Sequence, residues 1–176
     1  MHRLFVALPI PEAVADLLLD LEDGPDNLRW VHADQLHLTL RFIGEVDGAA
    51  AEDIAAALSS IAFAAFPLRL HGTGCFAHRR HGALWAGIDP REPVAALAAK
   101  VERAVQAAGV MPETRAFHPH ITLARWSGPR PELEPWLTRH AGLRSEEWVI
   151  SRFGLYESRL GKAGPSYSLV TDVQAR

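Results

Sequence analysis

The tetrapeptide His37-Leu38-Thr39-Leu40 recurs 83 residues later as His120-Ile121-Thr122-Leu123. Successive side chains on a β-strand point to opposite faces, so each tetrad, folded as a strand, presents His and Thr on one face and two aliphatics on the other. The aliphatic face demands a core, and the other face is chemical. If the two strands lie side by side with matching faces, one cleft holds two imidazoles and two hydroxyls, a set suited to acid–base chemistry on a phosphate. With nine His and six Thr in 176 residues, about 0.3 His-x-Thr triplets are expected by chance. The chain has three. The third, His71-Gly72-Thr73-Gly74, has glycines in place of the aliphatics and reads as a strand end or loop.

A hydrophobic content of 48% supplies a core for one domain or for two small lobes on one chain. The net charge of -3 and pI near 6.3 exclude a protein that coats nucleic acid nonspecifically, because such binding draws on many Lys and Arg contacts to phosphate. A small anion-binding site is compatible with that balance. The single Cys75 excludes an intramolecular disulfide framework and fits a reducing compartment, the cytoplasm by default. The apolar run Leu4-Phe5-Val6-Ala7-Leu8 is cut by Pro9 and Pro11, too short for a signal-peptide core. No stretch approaches the roughly 18 apolar residues of a membrane span.

Periodicity then orders the elements. Leu4 to Leu8 reads as a strand, and residues 11–22 as a helix carrying Val14, Leu17, Leu18 and Leu21. The first tetrad strand is expected over 35–42, ending at Gly44, followed by an Ala-rich helix over 48–60. Two strands, 67–75 and 83–88, flank a basic hairpin tip, His78-Arg79-Arg80-His81-Gly82. Val94, Leu97, Val101, Val105 and Ala108 define a helix that Gly109 ends. The second tetrad strand is expected over 117–125 and a short helix over 129–140. Strands over 147–153, 154–158 and 167–173, with a loop at 161–165, complete the chain. The order predicts an α+β fold of mainly antiparallel sheet with helices outside. Each tetrad follows at least one helix, which suggests an internal duplication and two lobes meeting at a pseudo-twofold cleft.

Beyond the tetrads, several segments run in one order across nearly the whole chain: Arg3-Leu4-Phe5-Val6-Ala7-Leu8, Leu40-Arg41-Phe42-Ile43-Gly44-Glu45, Gly72-Thr73-Gly74-Cys75-Phe76, Arg115 through Arg125, and Leu155-Tyr156-Glu157-Ser158. In these the chain resembles the two-histidine phosphoesterase superfamily, and within it the RNA 2',3'-cyclic phosphodiesterases, historically called 2'-5' RNA ligases. The resemblance implies a single bilobal domain over residues 1–176 with a cleft between the lobes. It also implies metal-independent hydrolysis of a 2',3'-cyclic phosphate to a 2'-phosphomonoester, with a reversible 2'-5' ligase side activity. No cofactor is implied. The substrate is an RNA ending in 2',3'-cyclic phosphate or a small cyclic nucleotide, and the expected form is a monomer away from membranes.

By the same resemblance His37 is the proton donor to the leaving 3'-oxygen and His120 the acceptor that activates water, a direction the residues alone leave open. Thr39 and Thr122 would donate hydrogen bonds to non-bridging oxygens. Arg115 and Arg125 are candidates for phosphate binding, with ordinary ion pairing as the alternative. Arg125 has the opposite strand parity to His120. Phe5 is a candidate for stacking a nucleobase, with core packing as the alternative. His118 with His120 forms a His-x-His pair, but no further carboxylate or Cys completes a convincing metal set. Two other functions stay open: a metal-dependent hydrolase using His37, His118 and His120, and an RNA end-binding module without turnover.

Overall fold

The computed structural model describes all residues, 1–176. β1 (His2–Pro9) leads into α1 (Glu12–Leu19), and the short β2 (Arg29–Trp30) and a 3-10 turn (Ala33–Gln35) precede β3 (His37–Val46), the first tetrad strand. α2 (Gly48–Ser59), the hairpin of β4 (Phe66–Ala77) and β5 (His81–Asp89), and α3 (Glu92–Ala107) lead to β6 (Ile121–Ser127), the second tetrad strand. α4 (Glu134–Arg139), β7 (Trp148–Ile150) and the hairpin of β8 (Arg152–Gly161) and β9 (Gly164–Gln174) complete the chain. α2 starts where the Asp47 carboxylate accepts from Ala50 N at 2.8 Å, satisfying one of the amides that a helix start leaves without a partner. α3 buries Val94, Leu97, Val101 and Val105, the stripe that the 3.6-residue period predicts.

The strands form one antiparallel sheet in the order β7-β4-β5-β6-β3-β1-β8-β9, with β2 also paired to β6. β3 and β6 meet at Leu38 and Ile121 and then diverge, and beyond that point β2 takes the place beside β6. The two tetrad strands are thus the inner strands of two four-stranded halves. Their registers match residue for residue. Leu38, Thr39, Arg41 and Phe42 pair with Leu8, Ala7, Val6 and Phe5, skipping Leu40. Ile121, Thr122, Ala124 and Arg125 pair with Ala86, Trp85, Leu84 and Ala83, skipping Leu123. Each tetrad therefore carries a β-bulge directly after its threonine. The two halves of the sheet share this irregularity at the same place.

One face of the sheet packs on the helices. Leu38, Leu40, Ile121 and Leu123 join a contiguous core of 35 buried residues that includes Val14 and Leu18 of α1, Ile54 and Leu58 of α2, and the stripe of α3. Arg41, pushed onto the core side by the bulge, is 8% exposed. Its guanidinium pairs with Glu102 of α3 and donates to the carbonyls of Phe42 and Met111, both at 2.6 Å. No helix is long and apolar enough to cross a membrane.

Several boundaries differ from the sequence reading. β3 continues past Gly44, which sits in a second irregularity at φ 90° rather than ending the strand. β6 begins at Ile121 because Pro119 has no N–H to offer a ladder. Residues 154–158 belong to one strand with Arg152 and Phe153, and the loop expected at 161–165 is a two-residue hairpin turn before Gly164. The third His-x-Thr triplet lies within β4, not in a loop. Its Thr73 hydroxyl donates to the His140 carbonyl at 3.1 Å, so the triplet contributes to packing beside α4.

Candidate active site

The two tetrad histidines are held alike. His37 Nδ1 donates to the carbonyl of Gln35 at 2.7 Å, and His120 Nδ1 donates to the carbonyl of His118 at 2.6 Å. An imidazole whose Nδ1–H is committed to a carbonyl leaves Nε2 as the atom that exchanges a proton. The Nε2 atoms differ in their surroundings. That of His37 lies 3.0 Å from Thr39 Oγ1, whereas that of His120 has no protein partner. The segment just ahead of each tetrad strand supplies the carbonyl, from the 3-10 turn at Gln35 and from the connection before β6 at His118, so the tetrad and the two residues ahead of it form the functional unit.

Burial holds both imidazoles below their usual titration range. His37 is lowered first by desolvation and then by the charges of Arg125 and His120, against the opposing hydrogen bond to Gln35. His120 is lowered by desolvation and by His118 and Arg125, against its bond to His118. Arg125 thus acts electrostatically on both imidazoles, and His120 on His37, across the β3–β6 junction. In the free protein burial and neighbouring charge therefore favour the neutral form of both rings.

Arg125 lies on the same face as His120, contrary to the parity of its position. The bulge at Leu123 explains this: Leu123 and Ala124 both turn to the core, and Arg125 returns to the His120 face. The equivalent residue after the first bulge is Phe42, which shares a face with Phe5 and Thr39, is 43% exposed and has the Arg3 guanidinium 5.4 Å from its ring centroid. Matching positions thus hold a cation beside His120 and an aromatic beside His37.

Aromatic rings build the walls. Phe5, 4% exposed, lies under His37 with centroids 4.9 Å apart, and it also packs against Tyr156 and Tyr167 at 5.4 and 4.9 Å. It supports the imidazole, and its buried ring offers no open face to a base. Tyr167 meets His37 edge-on at 5.4 Å. On the other side, Phe76 packs against His120 at 4.9 Å and His118 at 5.2 Å, and Trp85 against His118 at 5.2 Å. Phe42, Phe76, Trp85, Tyr156 and Tyr167 carry no sign of a site role in the sequence, because only the strand pairing brings them to this face. The bulge that turns Phe42 to this face leaves no mark in the sequence.

Arg115 stands apart. Its side chain is 81% exposed and binds the Glu113 carboxylate through Nε and Nη2 at 3.2 Å, holding that carboxyl at about 2. This contact is the ordinary ion pair that its sequence position offered beside phosphate binding. His37, His118 and His120 do not gather with a further ligand, and no three His, Cys, Asp or Glu side chains converge as a metal site requires.

The sequence model of the 2'-5' RNA ligase superfamily matches residues 11–162. The chain belongs to the 2'-5' RNA ligase superfamily. Two relatives within it are named RNA 2',3'-cyclic phosphodiesterase. That of Aeropyrum pernix is 34% identical over 84% of this chain and 86% of its own, and that of Thermus thermophilus is 33% identical over 99% and 90%. Among solved structures of the superfamily, Escherichia coli LigT complexed with 3'-AMP is similar with a TM-score of 0.83 at 25% identity, covering 99% of this chain and 98% of that one.

Proposed function

We propose that this chain hydrolyses RNA 2',3'-cyclic phosphate ends to 2'-phosphomonoesters, with His37 as proton donor and His120 as acceptor. The reading rests on one observation above all: two imidazoles at the starts of the inner strands of matched half-sheets, each with Nδ1 on a carbonyl two residues earlier. Water attacks phosphorus and gives its proton to His120 Nε2. The P–O3' bond breaks, and His37 Nε2–H supplies the proton that O3' takes up. The vacant Nε2 of His120 suits it to receive a proton from water.

A phosphodiester anion between the rings opposes their desolvation, so binding raises their affinity for the one proton the reaction needs. The hydroxyls of Thr39 and Thr122 and the guanidinium of Arg125 stabilise charge growing on the non-bridging oxygens. Phe42, with Arg3 on its ring, offers the exposed aromatic face for the terminal base that Phe5 lacks. The whole chain, residues 1–176, acts as one two-lobed monomeric domain in the cytoplasm.

A short RNA ending in 2',3'-cyclic phosphate, incubated with the protein in chelator, is expected to give a 2'-phosphate end. His37→Ala and His120→Ala should each lower turnover by about 10² to 10⁴. A 3'-phosphate product would reverse the leaving-group assignment. Loss of activity in chelator would point to a metal-dependent hydrolase, and tight binding without turnover to an end-binding module.

A further inference from the structure

Four arginines lie along one route that starts in the cleft. Arg125 faces the histidines, and its cross-strand neighbour on β2 is Arg29. Two guanidinium-bearing residues placed directly opposite repel each other, yet neither forms an ion pair, and Arg29 instead donates to Ser127 Oγ at 3.0 Å. Ser127 pairs with His81 at the base of the β4–β5 hairpin, whose exposed tip carries Arg79 and Arg80. Neither tip arginine has a carboxylate partner.

The tip is tied down at its backbone: His78 N donates to His81 O at 2.9 Å, and Gly128 N to Arg80 O at 2.7 Å. The His78 and His81 rings stack with centroids 4.7 Å apart. A chain of net charge -3 therefore keeps an uncompensated cationic line on a fixed scaffold. From Thr122 to Ser127 the strand alone covers about 17 Å.

We propose that this line, from Arg125 through Arg29 to Arg79 and Arg80, binds the phosphates of a single-stranded RNA upstream of the reacting end. The inference rests on the hydrolase reading above and names the substrate class that the site takes. A cyclic phosphate occupies the O2' and O3' of the terminal nucleotide, so the rest of the RNA leaves through O5' and must run out of the cleft. Arginine suits such phosphates by its forked donors, and a backbone track reads no sequence. The protein then prefers oligomers to cyclic mononucleotides through KM, while the chemical step is the same for both.

The test compares wild type with Arg79→Ala/Arg80→Ala on 2',3'-cyclic AMP and on an RNA of about eight nucleotides ending in cyclic phosphate, between 50 and 200 mM salt. On the mononucleotide the two proteins should match. On the oligomer the variant should show a higher KM with unchanged kcat. Its log KM should depend on log salt with a slope smaller by about 1.4, two phosphates at ~0.7 each, so that its salt response over this range is about sevenfold weaker. Equal oligomer KM and salt slope in both proteins would overturn the track while leaving the hydrolase reading intact. Failure of wild type to turn over either substrate would overturn both.

Discussion

At the scale of single residues, the chemistry depends on where one proton sits, which burial sets first and the charge of Arg125 adjusts in the same direction. Desolvation, with the charge of Arg125 adding to it, lowers both imidazoles, so in the free protein both titrations fall below the usual value near 6.5. The kcat/KM profile reports the free enzyme, and its maximum should accordingly lie on the acid side of 6.5. Arg125→Gln removes a cation that disfavours the imidazolium forms, so both imidazole titrations, followed by NMR, should move to higher pH. Unchanged titrations would mean that Arg125 does not face the histidines. The sequence made His37, Thr39, His120 and Thr122 legible because each tetrad alternates, and strand parity is enough to assign their face. It put Arg125 at the opposite parity to His120 because one extra residue at Leu123 reverses parity downstream, and a bulge after a threonine looks like any other strand residue.

At the scale of elements, the matched bulges show why the halves of the sheet act as a pair. They turn Phe42 and Arg125 toward the cleft while sending Arg41 and Ala124 to the core. Glycines support the same arrangement at equivalent places. A Cβ on Gly74 would lie 2.3 Å from the Trp85 ring, and one on Gly154 would lie 2.7 Å from both Tyr156 and Leu169. Gly74→Ala must displace Trp85, which packs against His118, whose carbonyl holds His120. We expect it to cost about 1–3 kcal/mol in chemical denaturation, as overpacking does, together with a fall in turnover. Retention of both full stability and full activity would show that Trp85 does not brace the site. Strand and helix existence was legible from periodicity throughout. The boundaries were less so, since Gly44 could equally have ended β3 or, as it does, sat in an irregularity within it.

At the scale of the whole molecule, the sheet is fastened to its helices by a buried ion pair as well as by apolar contact. Arg41 and Glu102 are 61 residues apart, and Glu102 also accepts from Glu113 N at 3.0 Å. This joins the back of the first tetrad strand to α3 and to the segment that leads toward the second tetrad. No local pattern announces such a pair, which is why the sequence showed Arg41 only as part of a family segment. Glu102→Ala leaves the buried guanidinium without its anion and should cost about 3 kcal/mol in chemical denaturation, the low end for breaking a buried pair because Glu102 still reaches solvent. A loss under about 1 kcal/mol would show the pair to be dispensable. Turnover depends on the division of labour between the two imidazoles, and a cyclic phosphate with sulfur in place of O3' tests that division most directly. A thiolate leaves without needing a proton as an alkoxide does, so His37→Ala should recover most of its lost rate on the 3'-thio substrate while His120→Ala stays slow. Recovery by His120→Ala instead, or equal response of the two variants, would contradict the assignment.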